Sequence, residues 1–187
     1  SRNNLPQIIR KANMAVSRQA TIYQQGDLDG LCGIYSLINA INKLYGPLRT
    51  KQTKGLLEEL IYTLDSKWGI QNAILYGING FQLSNLINEI LKPRYQMTCK
   101  KPFHSKPAAD TNTVWKKIKE WTENGGVVIL GTEEHWTVIE RASDSCLFLV
   151  DSCRMRIMHK RHLIQRKNPR HRMNPQHLYF MKKSEEK

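Results

Sequence analysis

The chain has 187 residues, 40% of them hydrophobic, and its 29 basic and 16 acidic side chains give a net charge of +13. That much apolar material supports one buried core, while no apolar run approaches the ~20 residues that span a bilayer. Four cysteines, at 32, 99, 146 and 153, form no CxxC pair, so a disulfide framework is not expected and reducing conditions suit the chain.

Taken in chain order, the opening SRNNLPQIIRKANMAVSRQA is too polar for a secretory signal peptide. Its pattern predicts a helix over residues 5–17 and an extended piece over 20–24. Residues 25–40 then read QGDLDGLCGIYSLINA. Apolar Ile34, Leu37, Ile38, Ile41, Leu44 and Tyr45 keep the three-and-four spacing of a helix that buries one stripe. Asp29 and Gly30 are placed to cap that helix, which puts Cys32 in its first turn. Unpaired backbone N–H groups and the helix dipole favour an anion at that position, and the thiolate is the nucleophilic form of cysteine.

A second helix is expected over residues 53–64, with Leu56, Leu57, Leu60, Ile61 and Leu64 on one side. A third, FQLSNLINEILK over residues 81–92, is expected to stop before Pro93. Residues 95–100 read as a strand. After a proline-containing loop, residues 112–123 predict a helix with Val114, Trp115, Ile118 and Trp121 on one face, ended by Gly125 and Gly126.

Three strands follow, over residues 127–130, 135–140 and 146–151. The cluster Ala142-Ser143-Asp144 has turn chemistry, so the last two form a hairpin. A turn centred on Ser143 sets His135 opposite Asp151, and directly opposed side chains lie roughly 5 Å apart on one face. A carboxylate beside an imidazole fixes its tautomer and stabilises the imidazolium formed when the histidine takes a thiol proton. A last apolar segment, residues 178–181, closes the sheet. Helices first and antiparallel strands second indicate an α+β domain, with a cleft between the helical part and the sheet.

The order Gln25, Cys32, His135, Asp151, with CGIYSLINA, HWTV and VDS around the last three, resembles the papain-like cysteine peptidase superfamily in its small bacterial branch. The resemblance implies a papain-like α+β fold, a nucleophile helix packed on a C-terminal antiparallel sheet. It implies one domain over 1–187, with the catalytic core in 19–153 and a basic segment, 154–187, completing the sheet. It further implies Cys32 as nucleophile, His135 as base and Asp151 as its orienting acid. The oxyanion would be held by the Cys32 N–H and the Gln25 side-chain amide, with Gln24 a competitor for that role. Glycine after the cysteine would let substrate approach the backbone. Glu133 and Glu134 precede the histidine, where many relatives carry a small residue, and nearby carboxylates raise a histidine's pKa. Asp27 and Asp29 work against a thiolate at Cys32.

The function expected from this pattern is hydrolysis of peptide bonds in a protein substrate, in a setting such as a delivered bacterial effector or toxin, cytoplasmic or inside a target cell. Deamidation of glutamine in a partner protein, or acyl transfer, would use the same triad. A basic, non-catalytic binding module is the alternative of a different class. Residues 154–187 hold 11 basic and two acidic side chains, a balance that suits an acidic protein partner, with nucleic acid and anionic lipid as alternatives. Aromatic side chains for base stacking are sparse there. His159 and His162 have a metal-like spacing, but no Cys, Asp or Glu set completes a site and basic neighbours repel a cation. Neither metal nor cofactor is expected.

Overall fold

The computed structural model describes residues 21–26, 30–106, 109–132, 135–163 and 173–184. Helices α1 (Cys32–Tyr45), α2 (Thr50–Trp68), α3 (Ile70–Tyr76) and α4 (Gly80–Leu86) come first. The chain runs on from α4 through a wide π-type turn (Ile87–Leu91) into α5 (Lys92–Tyr95), strand β1 (Met97–Lys100) and helix α6 (Thr111–Glu123). Strands β2 (Val127–Gly131), β3 (Trp136–Ala142), β4 (Cys146–Val150) and β5 (Ile157–His159), a short helix α7 (Lys160–Leu163) and strand β6 (Leu178–Lys183) complete the order.

The six strands form one antiparallel sheet in the order β1-β6-β2-β3-β4-β5. Both faces are covered, which explains why β2 is buried at every position. Val127, Ile129, Val138, Val150, Tyr179 and Met181 face a core shared with α1, α2 and α4. Val128, Leu130, Ile139, Leu149, Leu178 and Phe180 face a second core shared with α6. The result is a mixed α+β architecture with helices on both sides of the sheet. No helix among the described residues is long and apolar enough to cross a membrane.

Helix α1 is the central element of the first core. Ile34, Leu37, Ile38 and Ile41 are essentially inaccessible, and burying each contributes about 2 kcal/mol. The sequence capping expectation does not hold. Leu31 occupies the N-cap and makes no side-chain cap bond, and Asp29 lies outside the described residues. Gly30 instead ties the helix start to α3, its N–H donating to the Ile74 carbonyl at 2.7 Å. A Cβ at Gly30 would stand 2.6 Å from the Gly77 nitrogen, so only glycine permits that approach.

Buried polar side chains lock α1 in place. Asn39 accepts from the Tyr23 N–H at 2.8 Å and donates to its carbonyl at 2.9 Å, holding the extended entry segment. Ser36, one turn below Cys32, donates to the Trp136 carbonyl at 2.9 Å. That bond joins the helix bearing the cysteine to the strand that follows His135. Ser36→Ala is expected to cost about 1–2 kcal/mol, read as a lower urea midpoint at unchanged slope.

Several sequence expectations need correction. The helix does not stop before Pro93: the chain stays helical to Tyr95. The π-type turn, in which the Lys92 N–H reaches the Ile87 carbonyl, relieves the clash between a proline ring and the carbonyl four residues back. Helix α3 was not expected at all, and its exposed Leu75 and Tyr76 show why a core-facing stripe is hard to read there. The strand expected over 178–181 is present as β6 and lies inside the sheet, between β1 and β2. The helix expected over 5–17 lies outside the described residues.

The β3–β4 hairpin also differs from the simple turn. Ala142 pairs with Leu147 and Arg141 with Phe148, but Ile139 pairs with Leu149 and Val138 with Val150, so Glu140 is an extra residue in β3. This bulge reverses the face of every residue before it. It also turns Glu140 toward α1, where it forms an ion pair with Lys43. One further step along the ladder sets Thr137, not His135, opposite Asp151. His135 is the next residue on the same side, and such diagonal neighbours remain within reach.

Candidate active site

The N-terminus of α1, the start of β3 and the end of β4 meet at one end of the sheet, and each brings one of the expected residues. The His135 Nε2 and Asp151 Oδ2 atoms stand 2.6 Å apart. The Cys32 sulfur, 3.8 Å from the Gly30 carbonyl, is near enough to the same imidazole to help raise its pKa. Since Nε2 is engaged by the carboxylate, Nδ1 is the nitrogen left for sulfur.

Each side chain is fixed from below. Asp151 is almost fully buried, and its Oδ1 accepts from the Cys153 N–H at 2.7 Å and the Met155 N–H at 3.1 Å. The turn before β3 closes through Thr132, whose N–H donates to the His135 carbonyl at 2.9 Å and whose Oγ1 accepts from the His135 N–H at 3.1 Å. Trp136 buries its ring and donates from Nε1 to the Ile78 carbonyl at 2.8 Å. A Cβ at Gly33 would stand 2.5 Å from Ile78 Cγ1 and 3.2 Å from Trp136 Cδ1. The glycine after the cysteine therefore makes room for Ile78 and Trp136.

The electrostatics follow from this enclosure. Burial disfavours the charged form of His135, but the bonded Asp151 carboxylate and the nearby Cys32 outweigh it and raise its pKa to about 9. Burial likewise pushes Asp151 up, and the bonds from His135 and the Met155 N–H, with the Thr137 hydroxyl nearby, overcome it, leaving the carboxyl below its ordinary value. Thr137 is fully buried, and among the described residues its hydroxyl has no hydrogen-bond partner of normal geometry. At neutral pH the resting site thus holds an imidazolium between a carboxylate and a sulfur atom. Asp27, Asp29, Glu133 and Glu134, whose charges the sequence sets near this site, lie outside the described residues.

The two glutamines separate. Gln25 is half-buried, and its Oε1 accepts from the Ser152 hydroxyl at 3.1 Å, next to Asp151. Gln24 is exposed and accepts from Arg154 Nε at 3.1 Å. The Ser152 bond ties the Gln25 side chain to the residue that follows Asp151.

Cys153 is the residue that sequence reasoning passed over. It is exposed, and its sulfur stands 4.0 Å from His135 Nδ1. Its proximity to Asp151 in the chain was the available signal. His135, Asp151 and Cys153 also bring three potential metal-ligand atoms within 4.8 Å of one another, a set unrelated to the histidines of the basic segment. There, His159 Nδ1 is 3.2 Å from Cys146 Sγ and packs edge-on against His162. Cys146 is half-buried at the start of β4.

Two thiols therefore flank one imidazole, and the groove distinguishes them. A cleft of about 1010 Å³ is lined by Cys32 and His135, together with Ile78, Phe81 and Trp136, whereas Cys153 is not part of its wall. Cys153→Ser is accordingly expected to keep turnover within about threefold of wild type. A loss as deep as that from Cys32→Ala, measured on the same amide substrate, would identify Cys153 as the reacting thiol.

Comparison with known proteins finds no protein-family model that matches the chain, and no curated protein that matches it either.

Proposed function

We propose that this protein is a papain-like cysteine hydrolase that opens amide bonds in a protein substrate, with Cys32 as nucleophile, His135 as proton carrier and Asp151 as the group that orients it. The observation that carries this reading is the 2.6 Å His135–Asp151 bond at the wall of a peptide-sized cleft that Cys32 also lines. A structural role for the same residues would not require a buried carboxylate, a charged imidazole and a helix-start thiol to converge on open space.

In the reaction, the Cys32 sulfur attacks the amide carbonyl carbon, and the carbonyl oxygen becomes an oxyanion. His135 gives its proton to the nitrogen of the leaving amine, the C–N bond breaks, and a thioester remains on Cys32. A water molecule then loses a proton to His135 and attacks the thioester, releasing the carboxylic acid and restoring the Cys32 thiolate beside the His135 imidazolium. Asp151 stays ionised and keeps Nδ1 directed at sulfur. The oxyanion is held by the Cys32 N–H at the first position of α1 and by the Gln25 NH2 group.

Gln25→Ala is expected to lower turnover by roughly 10²-fold, and Gln24→Ala to leave it within about threefold. Equal losses from both would remove Gln25 from the oxyanion site. The reaction itself is tested by incubating wild type and Cys32→Ala with a cell lysate and mapping peptides by mass spectrometry. New termini made only by wild type are the expected result. Glutamine-to-glutamate conversion without new termini would assign the same site to side-chain amides. A lysate unchanged across diverse species would favour the basic binding module.

A further inference from the structure

Beyond Cys32 and His135, one end of the cleft lining carries a second group of side chains with distinct chemistry. Lys101, His104 and His177 line it, beside Ser84 and Gln176. The Lys101 ammonium is half-buried. It donates to the Tyr179 hydroxyl at 3.3 Å and approaches the Ser84 hydroxyl at 3.5 Å, and it sits 4.5 Å above the Tyr179 ring. Both hydroxyls spend their protons on the Gly80 carbonyl, each at 2.7 Å. Their lone pairs thus hold the ammonium in place without neutralising it. Among the described residues, no carboxylate pairs with Lys101, while six other lysine and arginine side chains have acidic partners.

His177 joins this end to the catalytic end. Its ring packs on Trp136 at a centroid distance of 5.4 Å, and Trp136 directly follows His135. Burial, then the charges of Lys101 and His104, hold His177 below its ordinary pKa. Burial also lowers Lys101. Lys101 carries a fixed, partly desolvated positive charge here, and the His104 and His177 imidazoles stand beside it. That arrangement costs stability unless an anion completes it, and a carboxylate meeting a fixed, half-dry ammonium makes a strong charge-assisted bond.

We propose that the Lys101–His177 end of the cleft is a carboxylate-binding subsite, so that the substrate is a polypeptide presenting an acidic side chain or a terminal carboxylate beside the amide to be opened. This inference rests on the hydrolase reading for its orientation relative to Cys32. The exposed rings of Tyr76 and Phe81 on the same cleft add an apolar contact for the residues between. The net basic charge of the chain steers such a substrate toward the cleft.

The test uses the full-length Cys32→Ala protein, which binds without turning over, and follows the His177 imidazole by NMR. Three probes are titrated: N-acetyl-Ala-Glu-Ala-amide, its Glu→Gln counterpart, and N-acetyl-Ala-Gln-Ala with a free carboxylate. The glutamate peptide is expected to bind about tenfold more tightly than the glutamine peptide and to raise the His177 pKa. Lys101→Gln should erase that difference, and Lys101→Arg should keep it. Preference for the free carboxylate over the glutamate side chain would assign the subsite to a chain end. Equal binding of the amide-only and carboxylate peptides, or a preference that survives Lys101→Gln, overturns the subsite. Turnover separates the two ideas: hydrolysis by wild type without acidic preference leaves the hydrolase and removes the subsite. Carboxylate preference in a protein that hydrolyses nothing does the reverse.

Discussion

Cys32→Ala is expected to abolish amide turnover, with a loss of at least about 10⁴-fold and no change of fold. Removing the nucleophile of a covalent mechanism leaves only binding and oxyanion stabilisation, which by themselves give a small residual rate. The side chain is small and contributes little to the core of α1, so the melting temperature should stay within a few degrees of wild type. A second readout separates chemistry from packing. Cys32 is one of the partners that raise His135, so the imidazole should titrate at a lower pH in the variant. A variant that unfolds, or one that keeps turnover, would count against Cys32 as the reacting group.

His135→Ala should be nearly as damaging, by about 10³-fold or more, and the pH profile carries the sharper evidence. The step that expels the amine needs His135 protonated, and its pKa is raised to about 9. Turnover should therefore hold through neutral pH and fall above about 9. In Asp151→Asn, loss of the leading raising partner should draw that alkaline limb back toward the ordinary 6.5. The same pair links to stability with opposite signs. The His135 contribution is complete below 6.5 and is lost as pH rises through about 9. Asp151 is held below 3.8, so its contribution is present above that value and is lost as pH falls through the depressed one. Between 6.5 and about 10, wild type should lose on the order of 5 °C more in melting temperature than His135→Gln does. Parallel melting curves for the two proteins would show that the raised value does not exist.

The helices and strands with strong periodicity were legible in the sequence, because their apolar spacing is set by which side is covered. Helix α1, helix α6 and strands β2 to β4 fall where Ile34, Leu37, Val114, Ile118, Val127 and Leu149 place them. The closeness of His135 and Asp151 was legible too, though through a different register. The sequence reading paired them directly, whereas the bulge at Glu140 makes them diagonal neighbours. Local turn chemistry does not reveal a bulge in the strand beyond it. Passage of the helix through Pro93 depends on a widened turn, which residue propensity does not encode. The cationic end of the cleft was invisible because Lys101, His177 and Ser84 come from three separate segments. Only the insertion of β6 beside β1 brings Tyr179 under Lys101.

The most direct test of the Cys32–His135 pair needs no substrate. The protein is exposed to limiting iodoacetamide at neutral pH, and alkylation of Cys32 and Cys153 is timed by peptide mapping, in wild type and in His135→Ala. Cys32 is only 7% exposed and Cys153 is open to solvent, so passive access would modify Cys153 first. The catalytic account predicts the reverse order, with Cys32 the faster thiol and its rate falling at least about tenfold in His135→Ala. Labelling that follows exposure and ignores His135 would contradict it.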